Sequence, residues 1–426
     1  MFVIILKLKG IEMAIFRPFK AYRPKPEFAQ EVAAKPYDVL NSAEARIEAE
    51  GHPYSFLHVG KPEIDLDPAL DIHDASVYEK GKENLQKLIA EGIIVEDPEA
   101  YLYVYAQTMN GRTQYGLVGC ASVDDYWNDT IKKHEKTRAD KEEDRCNHVR
   151  VTNAHTGPIF LTYRDIDEIN KIVAELVTAA PDNDLVAADG IRHQSWVIRD
   201  KELAKKIEDR LAQVDFFYVA DGHHRSAAAS IVGRERQKAN PNHTGDEEYN
   251  FFLAVLFPAT HLYIMDYNRL VKDLNGNTEA EFFAKLSEAY ECVEVGTEAY
   301  KPNAKGELGL YMDGKWYKLT AKPSVTNVAD PVDSLDVAIL QHHVLDPILG
   351  IEDPRTSNRI DFVGGIRGLG ELERRVNSGE MKLAISMFPT SIEELMAIAD
   401  AGKIMPPKST WFEPKLRDGM FVHFLD

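Results

Sequence analysis

Tyr218-Val-Ala-Asp-Gly-His-His-Arg225 reads as the end of a strand, a turn and the first turn of a helix. The apolar run Phe216–Ala220 predicts a buried strand. Gly222 permits the positive φ of a sharp turn. The alanine-rich residues from His224 onward predict a helix. Such a helix start presents unbonded backbone N–H groups and a positive dipole end, which together favour an anion. His223, His224 and Arg225 add donors at the same place, and arginine can grip phosphate with two parallel hydrogen bonds. Asp221 is suited to hold Mg²⁺ or to orient a hydroxyl. The bland alternative is a buried turn whose histidines are ordinary hydrogen bonders. Three consecutive cationic or titratable residues at a helix start are hard to place in a core, so the anion site is preferred.

Outward from this turn, strands and helices alternate between about Pro158 and Val271. Ile159–Thr162, Leu185–Ala188, Ser195–Ile198 and Phe251–Phe257 are predicted strands. Asp165–Ala180 and Lys201–Ala212 are predicted helices. The class is therefore α/β in the mixed α+β sense. Upstream, a helix is expected from Ala43 to Glu50 behind Ser42, another over 78–91, and a hairpin around Asn110-Gly111. A helix is expected from Asp124 to Lys132, with His134-Glu-Lys-Thr137 near its end or in a second helix. Arg138–Arg145 reads as a solvated helix face. Downstream come helices at Glu279–Tyr290, Asp336–Leu345, Glu371–Val376 and Ile392–Ala401, a hairpin around Asp313-Gly314, and a strand at Leu383–Phe388. Three domains are expected. They are an N-terminal α/β region (1–125), a phosphate-binding core (126–275) and a C-terminal α/β domain closing the cleft (276–426).

The chain has 426 residues and a formal net charge of −19, which repels nucleic acid and anionic membrane surfaces over long range. The three cysteines, Cys120, Cys146 and Cys292, are an odd number without close pairing, so reduced thiols are expected. No apolar run reaches the roughly 18 residues of a membrane span. The apolar start, Met1-Phe-Val-Ile-Ile-Leu6, is too short for a secretory signal, and residues 1–12 read as an upstream extension or an edge strand. A cytoplasmic protein is expected, with neither nucleic acid nor membrane as partner.

Other stretches offer chemistry. Glu135, after His134, is a carboxylate of the kind that accepts a hydroxyl proton in phosphoryl transfer. Taken alone, a Glu in a charged stretch is usually just solvated. Met405-Pro-Pro-Lys-Ser-Thr-Trp-Phe-Glu-Pro-Lys415 is a proline-fenced loop presenting Lys408, Ser409 and Thr410, or else a linker docking Trp411 and Phe412. Asp189-Gly-Ile-Arg-His193 leads into a strand, which makes His193 structural or peripheral. Gly364-Gly-Ile-Arg-Gly-Leu-Gly370 lacks the Lys-Ser/Thr of a P-loop and reads as a turn.

Asp221-Gly-His-His-Arg225 resembles the active-site turn of the free-serine kinases built on the ParB/sulfiredoxin-type fold. Those enzymes convert L-serine to O-phospho-L-serine with ATP or ADP. His134-Glu135 upstream, and Gly402 with Pro407-Lys-Ser-Thr410 downstream, are similar to two further motifs of that group in the same order. The whole chain also resembles a widespread bacterial family catalogued as a domain of unknown function. Its pattern appears as Pro36-Tyr-Asp38, His134-Glu135 with Thr137, Trp196, Asp221–Arg225, Pro407–Thr410 and Pro414-Lys415. The resemblance implies a ParB/sulfiredoxin-like core and a small-molecule kinase, with L-serine or a similar hydroxy amino acid and a nucleotide as its partners. It implies Glu135 as base and Asp221 as a second catalytic group placed near Mg²⁺. Gly222, His223, His224 and Arg225 would hold phosphate, and Lys408, Ser409 and Thr410 would contact nucleotide or carboxylate. His134 and Thr137 would border the substrate. Two departures stand out: the long N-terminal region, and the wide spacing between Glu135 and Asp221.

Three other functions compete. A DNA-partition protein of ParB type requires a basic surface that this composition opposes. A sulfiredoxin-like reductase requires a cysteine where His223 stands. A non-catalytic nucleotide or metabolite sensor would keep the anion site without turnover.

Overall fold

A computed structural model describes residues 13–426. The apolar start read as an extension or edge strand lies outside them. The chain divides into two compact units. One holds the residues up to Leu262 together with Pro414–Asp426, and the other Tyr263–Glu413.

The first unit is built on a mixed sheet of nine strands among the described residues. Its order runs Ile131–Lys132, Phe217–Asp221, Ile159–Tyr163, Phe251–Pro258, Arg112–Ser122, Leu102–Met109, Arg192–Ile198 and Asn183–Val186, with Phe16–Arg17 pairing Arg112–Ser122. Phe251–Pro258 is buried along its whole length, as a central strand covered on both faces must be. Its pairing with Ile159–Tyr163 is parallel, as is that of Phe217–Asp221 with Ile131–Lys132; the other pairings along this order are antiparallel. Asn110 and Gly111 both take positive φ, 51° and 77°, as a two-residue hairpin turn demands.

Ile169, Ile172 and Val173 of the helix Asp167–Leu176 join a core with sheet residues Val104, Leu161, Val219 and Phe252. So do Ala204, Ile207 and Leu211 of the helix Lys201–Leu211. A second cluster joins Cys146 and Val149 of the helix Ala139–Thr152 to Ala228 and Val232 of the helix His223–Ala239. Small residues at 226–230 on the latter helix let the two backbones approach, and Cys146 Sγ lies 4.0 Å from the Ala228 carbonyl.

The second unit carries a six-stranded sheet in the order Tyr290–Gly296, Lys315–Ala321, Glu307–Met312, Leu383–Ser386, Tyr267–Val271 and Ile360–Gly364. Its core gathers Leu270, Tyr311, Trp316, Val363, Leu372 and Ala384.

Several sequence expectations are corrected. The helix expected over Asp124–Lys132 is only Val123–Trp127; Asp129 then takes φ 62° and the chain turns into the strand Ile131–Lys132. His134–Thr137 therefore lies in a connecting loop rather than in a helix. The helix expected over Asp336–Leu345 is α-helical only to Leu340 and continues as a wider π turn over Gln341–Leu345. The run at Arg138–Arg145 is not a purely solvated face: Asp144 is buried, and the Arg145 guanidinium lies 4.0 Å over the Tyr37 ring. The boundaries expected at 125 and 275 do not coincide with the two units, because Leu102–Ser122 pairs into the central sheet and Pro414–Asp426 returns to the first unit. The three cysteines are free thiols.

Candidate functional site

The strand Phe217–Asp221 pairs Tyr218 with Thr162 and Val219 with Leu161. The register then slips, so that Asp221 faces Phe160. An irregularity of this kind at a strand end re-aims the side chain that follows. Gly222 then turns the chain with φ 86° and ψ 35°, as the left-handed turn requires. The helix His223–Ala239 begins at once, and no side chain caps its first turn. Its leading N–H groups are thus the donors that a helix start leaves for a ligand.

Asp221 is firmly engaged. Its Oδ1 accepts from the Gly222 amide at 2.9 Å, and its Oδ2 accepts from the Lys415 ammonium at 2.7 Å. Burial alone would raise this carboxyl, but Lys415, aided by the Gly222 amide, holds it below the ordinary carboxylate range.

Arg225 is committed within the fold. Its Nη2 donates to Asp418 at 2.6 Å, and its guanidinium lies 5.0 Å from the Tyr37 ring. Burial pushes the Asp418 carboxyl up to about 6, against the pull of Arg225. A Cβ at Gly157 would collide with both members of this pair, so glycine is required there by close approach. The expected phosphate grip of Arg225 thus meets a carboxylate already in place.

The loop after Ile131–Lys132 brings His134 and Glu135 to the same helix start. The His134 and His223 rings meet edge to face, 4.4 Å between centroids at 89°. Glu135 Oε2 stands 3.8 Å from His223 Nδ1, and the Glu135 side chain is half exposed. His134 is buried and neither of its ring nitrogens makes a well-formed hydrogen bond; Nε2 of buried His223 is likewise without a partner. Burial pushes His134 down to about 4, opposed by the charge of Asp221, and pushes His223 well below the usual histidine range. Both rings are neutral near pH 7. His224 Nε2 accepts from the Arg138 amide at 3.1 Å and so ties the far end of the loop to the helix. Thr137 donates to Glu142 at 2.7 Å, a contact that serves the following helix.

The structure thus gathers His134, Glu135, Asp221, Gly222, His223, His224 and Arg225 in the first unit. Lys408, Ser409 and Thr410 belong to the second. There Lys408 takes φ 58°, its carbonyl accepts from Arg269 at 3.0 Å, and the Ser409 hydroxyl donates to Pro406 at 2.6 Å. His193 is fully buried, accepting from Arg417 Nε at 3.2 Å and meeting the Tyr105 hydroxyl at 2.7 Å, so its role is structural. Sequence reasoning did not single out Lys415 and Asp418 as partners of the turn, although Pro414-Lys415 stood within the family pattern. Nothing local joins them to it: they lie 194 and 193 residues from the groups they bind.

Among the described residues no helix is long and apolar enough to cross a membrane. The family model described as "Protein of unknown function (DUF1015)" matches residues 16–338. Three solved structures are similar. A free serine kinase in complex with AMP is 14% identical, covering 67% of this chain and 84% of its own, with a TM-score of 0.32. A conserved hypothetical protein from Pyrococcus furiosus is 15% identical over 70% and 93%, with a TM-score of 0.33. SbnI with a C-terminal truncation, from Staphylococcus aureus, is 12% identical over 72% and 87%, with a TM-score of 0.38. No curated protein matches the chain.

Proposed function

The chain belongs to the DUF1015 family, and we propose that it is a phosphotransferase acting on a small hydroxylated molecule, with free L-serine as acceptor and ATP or ADP as donor. One observation carries the reading. Glu135 and the uncapped helix start at His223, 88 positions apart in the chain, stand together with 3.8 Å between Glu135 Oε2 and His223 Nδ1. The motif order shared with the free-serine kinases supports it.

In this reading the amides opening the helix His223–Ala239 receive the transferred phosphoryl group, where backbone donors and the helix dipole favour developing negative charge. Glu135 accepts the proton of the attacking hydroxyl. The Lys415 ammonium, fixed by Asp221 at 2.7 Å, supplies positive charge at the mouth. Arg225, held by Asp418, fixes the first helical turn. Lys408, Ser409 and Thr410 are proposed contacts for nucleotide phosphate or the acceptor's carboxylate. A resident Mg²⁺ does not fit the residues present. Mg²⁺ takes oxygen ligands in octahedral geometry, both Asp221 oxygens are engaged, and of the three neighbouring donors two are imidazoles and Glu135 alone offers oxygen. No step is assigned to it, and magnesium enters the assay as the nucleotide's own counter-ion.

The test is direct. Purified protein incubated with L-serine and magnesium ATP, then ADP, is expected to form phosphoserine. Glu135→Gln is expected to lower turnover about 10²-fold or more while leaving nucleotide binding in place. Nucleotide-induced stabilisation without phosphoserine under either donor would replace the enzyme with a nucleotide-binding regulatory protein.

A further inference from the structure

We infer that His134, Glu135 and His223 form a binding site for a divalent transition metal of the zinc class. One donor atom from each of the three lies within 4.8 Å of the others. One independent observation points to a ligand. His134 is 2% exposed and, apart from a backbone contact with Val219, its ring nitrogens lack a well-formed hydrogen bond, while His223, 6% exposed, turns Nδ1 toward Glu135. Buried polar atoms without partners are costly, and an ion is one of the few things that repays a lone pair from each of two facing imidazoles. The edge-to-face packing of the rings, 4.4 Å between centroids, keeps these donors close.

The donor set names the metal class. Two neutral imidazoles and one carboxylate suit zinc and its first-row neighbours, whereas magnesium and calcium take oxygen. Bonds of about 2.0–2.1 Å place neighbouring tetrahedral donors roughly 3.4 Å apart. His223 Nδ1 and Glu135 Oε2 are already 3.8 Å apart, and Glu135 is on a loop with a half-exposed side chain. A small swing of that carboxylate closes the site. Three protein ligands leave at least one position open, the pattern of metals that meet a water or substrate rather than of purely structural ones.

The site goes beyond the phosphotransfer reading and competes with it for one group. A carboxylate bonded to a metal does not take a hydroxyl proton, so phosphoserine formation is read on chelator-stripped protein and metal binding in the absence of nucleotide. Protein that binds metal yet makes no phosphoserine when stripped keeps this site and loses the kinase.

The full chain, stripped with chelator, is titrated with Co²⁺ and followed by visible absorption. One equivalent is expected to give the intense bands of low-coordinate cobalt. Zn²⁺ is expected to displace it and Mg²⁺ to leave it untouched. Glu135→Gln, a change on the exposed loop, is expected to weaken Co²⁺ at least tenfold, and His134→Asn to abolish the bands. Zn²⁺ is expected to raise the Tm of the wild type and not that of Glu135→Gln, which covers the case in which His134→Asn does not fold. Absence of both bands and Tm shift at a hundredfold excess of metal would overturn the proposal. So would equal Co²⁺ affinity in wild type and Glu135→Gln.

Discussion

At the scale of single residues, Gly222 shows how one torsion organises the site. A Cβ there would find nothing nearer than 3.8 Å, so space is not what demands glycine; the φ of 86° is. Gly222→Ala is expected to lose about 1–3 kcal/mol in urea denaturation, the ordinary cost of holding a side chain in the left-handed region. Gly222→Asn is expected to lose less, because Asn tolerates that region better. Equal stability of all three proteins would mean that the turn relaxes freely. Asp418 poses the opposite problem, since its removal strands a charge. Arg225 would keep its buried guanidinium without the carboxylate at 2.6 Å, and breaking such a pair typically costs about 3–5 kcal/mol. Asp418→Ala measured by the same denaturation is expected to fall in that range. A loss below about 1 kcal/mol would show that Arg225 finds water or Asp38 instead.

At the scale of elements, the loop between Ile131–Lys132 and Ala139–Thr152 carries Glu135, the proposed base, and His224 ties it down. That tie is one backbone amide donating to one imidazole, Arg138 to His224 at 3.1 Å. His224→Ala is expected to speed tryptic cleavage after Lys136 and Arg138 severalfold while leaving the global urea midpoint nearly unchanged, the behaviour of local opening. Unchanged cleavage would place the control of this loop elsewhere. The same elements explain what could be read in advance. The turn at Gly222, the hairpins at Asn110-Gly111 and Asp313-Gly314, and the helices Lys201–Leu211 and Glu279–Ala289 all follow from local chemistry: positive-φ residues, caps and apolar spacing. The loop at His134 did not follow, since a dense charge run looks helical. Its conformation is set by Ile131–Lys132 pairing in parallel with Phe217–Tyr218, a contact that no local pattern announces. Lys415 and Asp418 were hidden for the same reason. Their partners are fixed by the return of Pro414–Asp426 to the first unit, not by spacing along the chain.

At the scale of the whole molecule, buried neutral histidines link stability to pH. His148 donates to the Val59 carbonyl at 2.9 Å, and burial beside Arg145 and Arg225 pushes its pKa down to about 3. His193, buried next to Arg417, is also pushed down to about 3. Both folded values lie below the unfolded value near 6.5. Between about pH 6.5 and 3 the unfolded chain therefore binds protons at these positions that the folded chain refuses, and stability falls as the pH falls. Each histidine contributes about 1.4 kcal/mol per pH unit across that window. The net charge of −19 acts in the other direction, because acid relieves the self-repulsion of a strongly anionic surface. That relief is long-ranged and screened by salt, whereas the histidine term arises from groups sealed inside the first unit and is not. Denaturation at pH 7 and pH 5 in 0.5 M salt (strong screening, with a Debye length of roughly 4–5 Å) is therefore expected to show lower stability at pH 5. His193→Gln is expected to flatten the dependence even if it lowers stability overall. Stability that is level or rising from pH 7 to pH 5 in high salt would mean that these rings take up protons within the fold or that Asp418, raised to about 6 and protonated in this window, outweighs them.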